Sequence, residues 1–231
     1  MQELQTLEPM EDDLSSSEDI IGIIYGEVGA LSFKISVTGE AHRNEYVKMF
    51  HDECGWVLGQ LSEVSRKTDL NLEKARMLSE GNEIDIKEKV SADVVVIGYR
   101  DSRGLLQSPR TPFKAGQEVL RADDDLIMDV LGLGKKSDTG AYIGYLSGHD
   151  IPVEMDINSM VQKHLSILAK TGGGKSYITG VIIEELIKHD VTVIVMDPHG
   201  EYDTLAEPGP EPKGDRDFNV HPMGFADKIQ V

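Results

Sequence analysis

The sequence predicts a mainly-β barrel followed by the beginning of a phosphate-loop α/β domain. Two observations support this prediction. Between residues 19 and 158, short apolar or alternating runs are separated by glycines and prolines, which is typical of a closed barrel. From residue 165 onward, an apolar run, a glycine-rich octapeptide and an amphipathic segment follow one another, in the strand–loop–helix order of a phosphate-binding loop.

Composition narrows the class of protein. The chain has 231 residues, enough for one or two domains, and it is 39% hydrophobic and 28% charged, as in ordinary globular proteins. No apolar run approaches the roughly 18–20 residues of a membrane span, and the N-terminus is acidic. We therefore expect a cytoplasmic location and no membrane. The single cysteine, Cys54, excludes an intramolecular disulfide and a multi-cysteine zinc site.

Charge is strongly acidic. Residues 1–18 contain six acids and no lysine or arginine, which predicts a disordered tail. The formal net charge of the chain is −18, which argues against nonspecific DNA binding on its outer surface. The charge does not argue against DNA binding in the central pore of a ring, because a few local basic groups suffice there.

The barrel prediction rests on individual segments. Residues 31–37 alternate apolar and polar side chains, the pattern of a half-buried strand. Two short helices are predicted at 70–78 and 125–131, the second after a pair of acids. The predicted strands are 20–28, 31–37, 56–64, 94–99, 141–146 and 151–157.

The octapeptide 169–176, AKTGGGKS, is the strongest chemical motif. Three glycines let the backbone take positive φ angles and turn N–H groups toward a phosphate at the start of a helix. Lys175 can reach the β- and γ-phosphates, and the Ser176 hydroxyl can bind Mg²⁺. Ala169 replaces the usual first glycine, a tolerated change; the alternative is a glycine-rich turn with a chance GKS. The predicted cofactor-binding residues are Lys170, Thr171, Gly172, Gly173, Gly174, Lys175, Ser176 and Tyr177.

A second apolar run follows the helix predicted at 175–189. Residues 191–196 are mostly β-branched and predict a strand buried on both faces of a parallel sheet, ending in Asp197. Ligands of such sheets bind outside the carboxyl ends of the strands, where Asp197 and the loop would both lie. We predict catalytic roles for Lys175 and Asp197 and metal binding by Ser176 and Asp197. The alternative for Asp197 is an Asp-Pro turn.

These residues resemble a known family. The run 164–176, HLSILAKTGGGKS, followed by DPHGEY at 197–202, resembles archaeal HerA, a hexameric DNA-translocating ATPase of the HerA/FtsK group. The resemblance is strongest over 160–205 and extends more weakly to about residue 20, where the pattern is similar to the family's N-terminal barrel. It implies a RecA-like domain, ATP and Mg²⁺, double-stranded DNA and a NurA-like nuclease. An arginine common in the family is Lys163 here, whose role stays open.

The predicted organisation has three parts: an acidic tail at 1–18, a barrel at 19–158 and a partial ATPase domain at 159–231. Two predicted strands and one helix follow residue 162, whereas such a sheet has about five or more strands. We therefore expect part of a longer protein with an incomplete catalytic set. The resemblance implies a water-activating glutamate on a later strand. Glu201 is a weak substitute; a turn or subunit-contact role is the alternative.

The function that the resemblance implies is ATP-dependent translocation or unwinding of double-stranded DNA in DNA-end processing. Two alternatives remain open. One is a P-loop ATPase that remodels a protein complex without DNA. The other is an assembly module that binds nucleotide without hydrolysing it. Salt-dependent binding of duplex DNA would favour the translocase over the remodeller, and ATP binding without turnover would favour the assembly module.

Overall fold

The computed structural model describes residues 19–133, 139–210 and 221–230. The predicted acidic tail at 1–18 lies outside these residues. The chain forms two compact units, one ending at Val130 and the other beginning at Leu131. None of the helices in the described ranges has the length and apolarity to cross a membrane.

The first unit is built around a closed antiparallel barrel of six strands. Around the barrel the order is β2, β1, β7, β3, β4 and β5, and β5 pairs back onto β2. The predicted barrel is therefore confirmed. A short strand, β6, is added to β5. The bounds are β1 (Ile20–Val28), β2 (Ser32–Val37), β3 (Tyr46–His51), β4 (Gly55–Thr68), β5 (Glu88–Arg100), β6 (Leu106–Gln107) and β7 (Glu118–Arg121).

Apolar side chains from alternate positions of the strands fill the barrel interior. On β2, Phe33 and Ile35 are buried while Ser32, Lys34 and Ser36 are exposed, as predicted. The barrel core is apolar, and its burial supplies the main driving force for folding this unit. Its members include Ile21, Ile24, Phe33, Ile35, Val47, Met49, Val57, Leu61, Val94 and Val119.

Two strands of the barrel, β3 and β7, are missing from the strands predicted from the sequence. On β3, Val47, Met49 and His51 alternate inward, so a usable pattern was present. On β7, the neighbouring residues Val119 and Leu120 are both buried, which gives no alternation over only four residues. These two strands pair with each other, and β7 also pairs with β1.

The helices of the first unit lie close to their predicted positions. Helix α1 (Leu72–Ser79) begins after Asn71, whose side chain accepts the backbone N–H of Lys74 at 2.9 Å. Helix α2 (Asp124–Leu131) follows Asp123, whose carboxylate accepts the N–H of Leu126 at 2.8 Å. Polar caps therefore start both helices.

In its described residues, the second unit contains a hairpin, two α-helices and a 3-10 helix. The strands β8 (Gly140–Tyr145) and β9 (Pro152–Asp156) form a separate antiparallel sheet, followed by α3 (Ile157–Gln162), α4 (Lys175–Lys188) and a 3-10 helix (Asp203–Ala206). The Glu185 carboxylate on α4 accepts the backbone N–H of Tyr142 on β8 at 3.0 Å. This hairpin falls within the predicted barrel range 19–158. Its contacts instead lie with α4, and the predicted domain ranges stay predictions.

The prediction of two strands flanking α4 is wrong for the described part of the chain. Neither 165–168 nor 191–196 pairs with a strand there. Leu168 is 91% exposed, Ile194 87% and Met196 92%. An apolar, β-branched run favours extended backbone, but a strand forms only where neighbouring backbone supplies hydrogen bonds. The described residues provide none beside these two segments.

Candidate nucleotide-binding site

The glycines of the loop take conformations that other residues avoid. Gly172 and Gly174 have φ angles of +77° and +79°. A Cβ at Gly173 would lie 2.9 Å from the carbonyl oxygen of Lys170, while the Gly173 N–H donates to that same carbonyl at 2.8 Å. The loop is therefore a tight turn whose backbone fits glycine at all three positions.

The loop leads directly into the N-terminus of α4. Gly174 is the residue that caps this helix, and it makes no side-chain hydrogen bond to the helix. The first N–H groups of a helix have no partner within it, and they carry a partial positive charge. Because glycine has no side chain that could accept from them, the N–H groups of the first turn suit an external anion such as a phosphate.

Space for an anion exists beside the loop. A Cβ at Gly172 or Gly174 would meet no described heavy atom within 4 Å. Lys175 and Thr171 are exposed, and Tyr177 is 79% exposed on the first turn of α4. Backbone donors, a lysine ammonium and a serine hydroxyl together match the chemistry of a nucleoside phosphate with its Mg²⁺.

The acid that meets Ser176 is Glu201. The Ser176 hydroxyl donates a hydrogen bond of 2.5 Å to the Glu201 carboxylate. The predicted metal ligands are Ser176 and Asp197, and Glu201 is predicted only as a weak substitute. The pairing of Ser176 with Asp197 stays a prediction, whereas the contact of Ser176 with Glu201 is present in the structure.

Asp197 organises the turn that carries Glu201. Its carboxylate accepts the backbone N–H of Tyr202 at 2.9 Å and that of His199 at 3.3 Å. These bonds, the one from Tyr202 above all, hold the pKa of the Asp197 carboxyl below its ordinary value. Gly200 in the same turn has a φ angle of +68°. The geometry therefore matches the alternative interpretation of Asp197 as a turn residue.

The lowered pKa of Asp197 leads to a testable pH dependence. A carboxyl whose pKa is depressed by folding stabilises its turn above the unfolded value, about 3.9, and this stabilisation is lost as pH falls through the folded value. We expect the protection factor of the Tyr202 amide, measured by hydrogen exchange and corrected for intrinsic rate, to stay constant down to about pH 4 and to fall below it.

The matched control for this experiment is the Gly173 amide, which donates to a backbone carbonyl. Its protection should not follow the titration of Asp197. The variant Asp197→Ala should lower protection of the Tyr202 amide at neutral pH as well. Equal protection of Tyr202 in the variant and the parent chain would contradict the assignment.

The predicted site residues fall into two groups. Lys170 to Tyr177 form one continuous loop and first helical turn, from which Lys175 and Ser176 project. Asp197 and Glu201 come from a later turn that reaches Ser176 through Glu201. The sequence signal for Glu201 was its place in DPHGEY, but spacing alone gave no reason to prefer it over Asp197.

Comparison with known proteins identifies the second unit. Residues 141–231 match the family model described as the central domain of the helicase HerA. The DNA double-strand break repair helicase HerA of Pyrococcus furiosus is 31% identical over 204 residues, which cover 83% of this chain and 36% of that protein. The chain is a HerA-type sequence. The resemblance inferred from residues 164–176 and 197–202 is thereby confirmed.

Two further relatives match large parts of the chain. A probable helicase of Methanocaldococcus jannaschii is 35% identical over 199 residues, or 80% of this chain and 37% of the relative. A probable DNA double-strand break repair helicase HerA of the same organism is 39% identical over 119 residues, or 51% of this chain and 23% of the relative. The chain thus spans about a third of the length of the first two relatives.

The HerA central-domain match begins within the hairpin. Its first residue, Ala141, lies on β8, so the match includes β8 from there, β9 and α4. The contact between Glu185 and Tyr142 joins the same elements. Sequence similarity and packing therefore agree that the hairpin goes with the nucleotide-loop unit.

Proposed function

We propose that this chain binds ATP with Mg²⁺ and supplies the barrel and nucleotide loop of a HerA-type ATPase that translocates along or unwinds double-stranded DNA during DNA-end processing. The observation that supports this most is the loop 169–176. Its glycine geometry and its continuation into α4 are those required for phosphate binding. The relatives named as DNA repair helicases support the DNA substrate.

In this proposal each loop residue has a distinct task. The backbone of Gly172 to Gly174 and the first turn of α4 donate N–H groups to the β- and γ-phosphates. Lys175 places its ammonium against the same phosphates. Ser176 would turn its hydroxyl oxygen toward Mg²⁺. Asp197 stays the predicted acidic ligand of the metal. When bound, Mg²⁺ neutralises phosphate charge and orients the terminal phosphate.

The surrounding domain is proposed to be RecA-like. The exposed apolar residues at 168 and 194–196 support this, because surface of that kind calls for covering strands or helices. We also propose that HerA-type chains of this kind assemble as hexamers in the cytoplasm, with duplex DNA in the pore. Such a pore reconciles DNA binding with a net charge of −18.

The barrel is the proposed docking module for a NurA-like nuclease and for ring assembly. It exposes several large apolar side chains, which support a protein contact. Phe50 and Trp56 pack edge to face on its surface, with the Lys48 ammonium 5.1 Å from the Trp56 ring. The exposed group comprises Tyr25, Leu31, Phe50, Trp56 and Val95.

Binding of ATP and DNA by the chain tests the proposal. We expect ATP to bind in the presence of Mg²⁺, and labelled duplex DNA to bind in the presence of both. DNA affinity should fall steeply between about 50 and 200 mM salt, because each phosphate contact releases counterions. Fluorescence anisotropy of the duplex, read across this salt range, gives the slope.

Two results would overturn parts of the proposal. No detectable ATP binding at millimolar nucleotide would remove the nucleotide function altogether. ATP binding without duplex binding at any salt concentration would remove the DNA substrate and favour the remodelling ATPase instead.

A further inference from the structure

We propose that Glu201 is a positioning residue: it fixes the Ser176 hydroxyl for Mg²⁺ and thereby makes ATP binding depend on the metal. This inference rests on the proposed nucleotide function. It assigns to Glu201, and not to Asp197, the task of orienting the hydroxyl that would bind the metal. The observation that leads to it is the 2.5 Å hydrogen bond between Ser176 and Glu201.

The hydrogen bond determines where the serine oxygen can act. A hydroxyl has one hydrogen to donate and two lone pairs that can accept or bind a metal. Because Ser176 donates its hydrogen to Glu201, the rotor is fixed and the lone pairs point away from the carboxylate. A hydroxyl held in this way is ready to bind a hard cation such as Mg²⁺, which prefers oxygen ligands.

The turn that carries Glu201 is itself held in place. The neighbouring residue Tyr202 donates its backbone N–H to Asp197, and His199 does the same from the other side. Gly200, directly before Glu201, has a φ angle of +68° that a side chain rarely adopts. Glu201 therefore projects from a turn braced on both sides, as a positioning group requires.

Asp197 is less suited to this role. One of its carboxylate oxygens accepts the N–H of Tyr202 and the other accepts that of His199. Moving it to a metal would break the turn that presents Glu201. The two acids therefore have different roles in the structure. Asp197 holds the turn in shape, and Glu201 contacts Ser176.

Charge explains the expected dependence on metal. A carboxylate beside a phosphate-binding loop repels the phosphates when no cation lies between them. With Mg²⁺ present, the same carboxylate orients the hydroxyl that binds the metal. Glu201 should therefore weaken metal-free ATP binding and strengthen Mg²⁺–ATP binding, so its removal should affect the two affinities in opposite directions.

The experiment measures ATP affinity by calorimetry with Mg²⁺ and with EDTA, and divides the dissociation constant in EDTA by the dissociation constant with Mg²⁺. We expect Glu201→Gln to reduce this ratio by about tenfold or more, given the strength of charge-assisted hydrogen bonds. Glu207→Gln is the matched control, because Glu207 is exposed just after the 3-10 helix and carries the same charge. Its ratio should equal that of the parent chain.

A double substitution separates positioning from a general charge effect. If Glu201 acts through Ser176, Glu201→Gln should change the dissociation constant of Mg²⁺–ATP little in a Ser176→Ala background, whereas its charge effect on metal-free ATP should persist. Near-ultraviolet circular dichroism confirms that each variant is folded. The inference alone is overturned if the Glu201→Gln ratio equals the Glu207→Gln ratio, or if Glu201→Gln weakens Mg²⁺–ATP binding as much in the Ser176→Ala background as in the parent chain. Absence of ATP binding by the parent chain overturns the proposed function as well.

Discussion

Lys175→Ala is expected to weaken binding of ATP with Mg²⁺ by roughly 10–150-fold. Lys175 is the first residue of α4 and is exposed beside the glycine loop, where its ammonium can meet the phosphates. Loss of one charge-assisted hydrogen bond costs about 1.5–3 kcal/mol, which corresponds to that range of affinity. Calorimetric titration of the parent chain and the variant at the same ionic strength gives the difference directly.

A second lysine shows whether the effect belongs to the site. Lys67 lies exposed on β4, outside the unit that contains the loop, so Lys67→Ala removes the same charge elsewhere. We expect it to leave ATP affinity unchanged within a factor of about two. Equal affinities for Lys175→Ala and Lys67→Ala would remove Lys175 from the site.

Leu61→Ala is expected to destabilise the barrel by about 2–5 kcal/mol. Leu61 lies on β4 opposite Val94 of β5 and is 0% exposed within the barrel core. Truncation to alanine removes buried apolar surface and leaves a cavity that the closed sheet cannot easily fill. Trp56, the single tryptophan of the chain, lies on the same strand, so its fluorescence reports unfolding of the barrel in urea.

The matched control is Leu31→Ala. Leu31 is 58% exposed in the turn between β1 and β2, so the same substitution there removes little buried surface. Its cost should lie within about 0.5 kcal/mol. A Leu61→Ala chain that unfolds at the same urea concentration as Leu31→Ala would show that the barrel core is not packed as described.

Local pattern predicted the barrel where each strand carried its own signal. Residues 31–37 alternate, and the structure buries Phe33 and Ile35 as the alternation requires. Strand β7 has only four residues, and its two adjacent apolar side chains are both buried. Its identity as a strand depends on the pairing partners β1 and β3, which a local pattern does not contain.

In the nucleotide site too, local features could be predicted from the sequence and contacts between distant segments could not. The loop and the start of α4 could be predicted because glycine geometry and helix capping are local properties. The contact of Glu201 with Ser176 joins residues from separate turns, so spacing along the chain could not select it over Asp197. The apolarity of residues 191–196 predicts a buried strand, but apolarity alone does not establish pairing, and the described structure provides no partner for them.

Closure of the barrel has a consequence for the order in which it folds. Hairpins β1–β2 and β3–β4 join segments that are close in sequence, and such contacts form early because little chain entropy is lost. In contrast, Ser32 must find Val95, and Ile23 must find Glu118. On a ribosome, the first hairpin must therefore wait with an unpaired edge until β7 is synthesised. We expect nascent chains that end before Glu118 to be the ones that a chaperone retains.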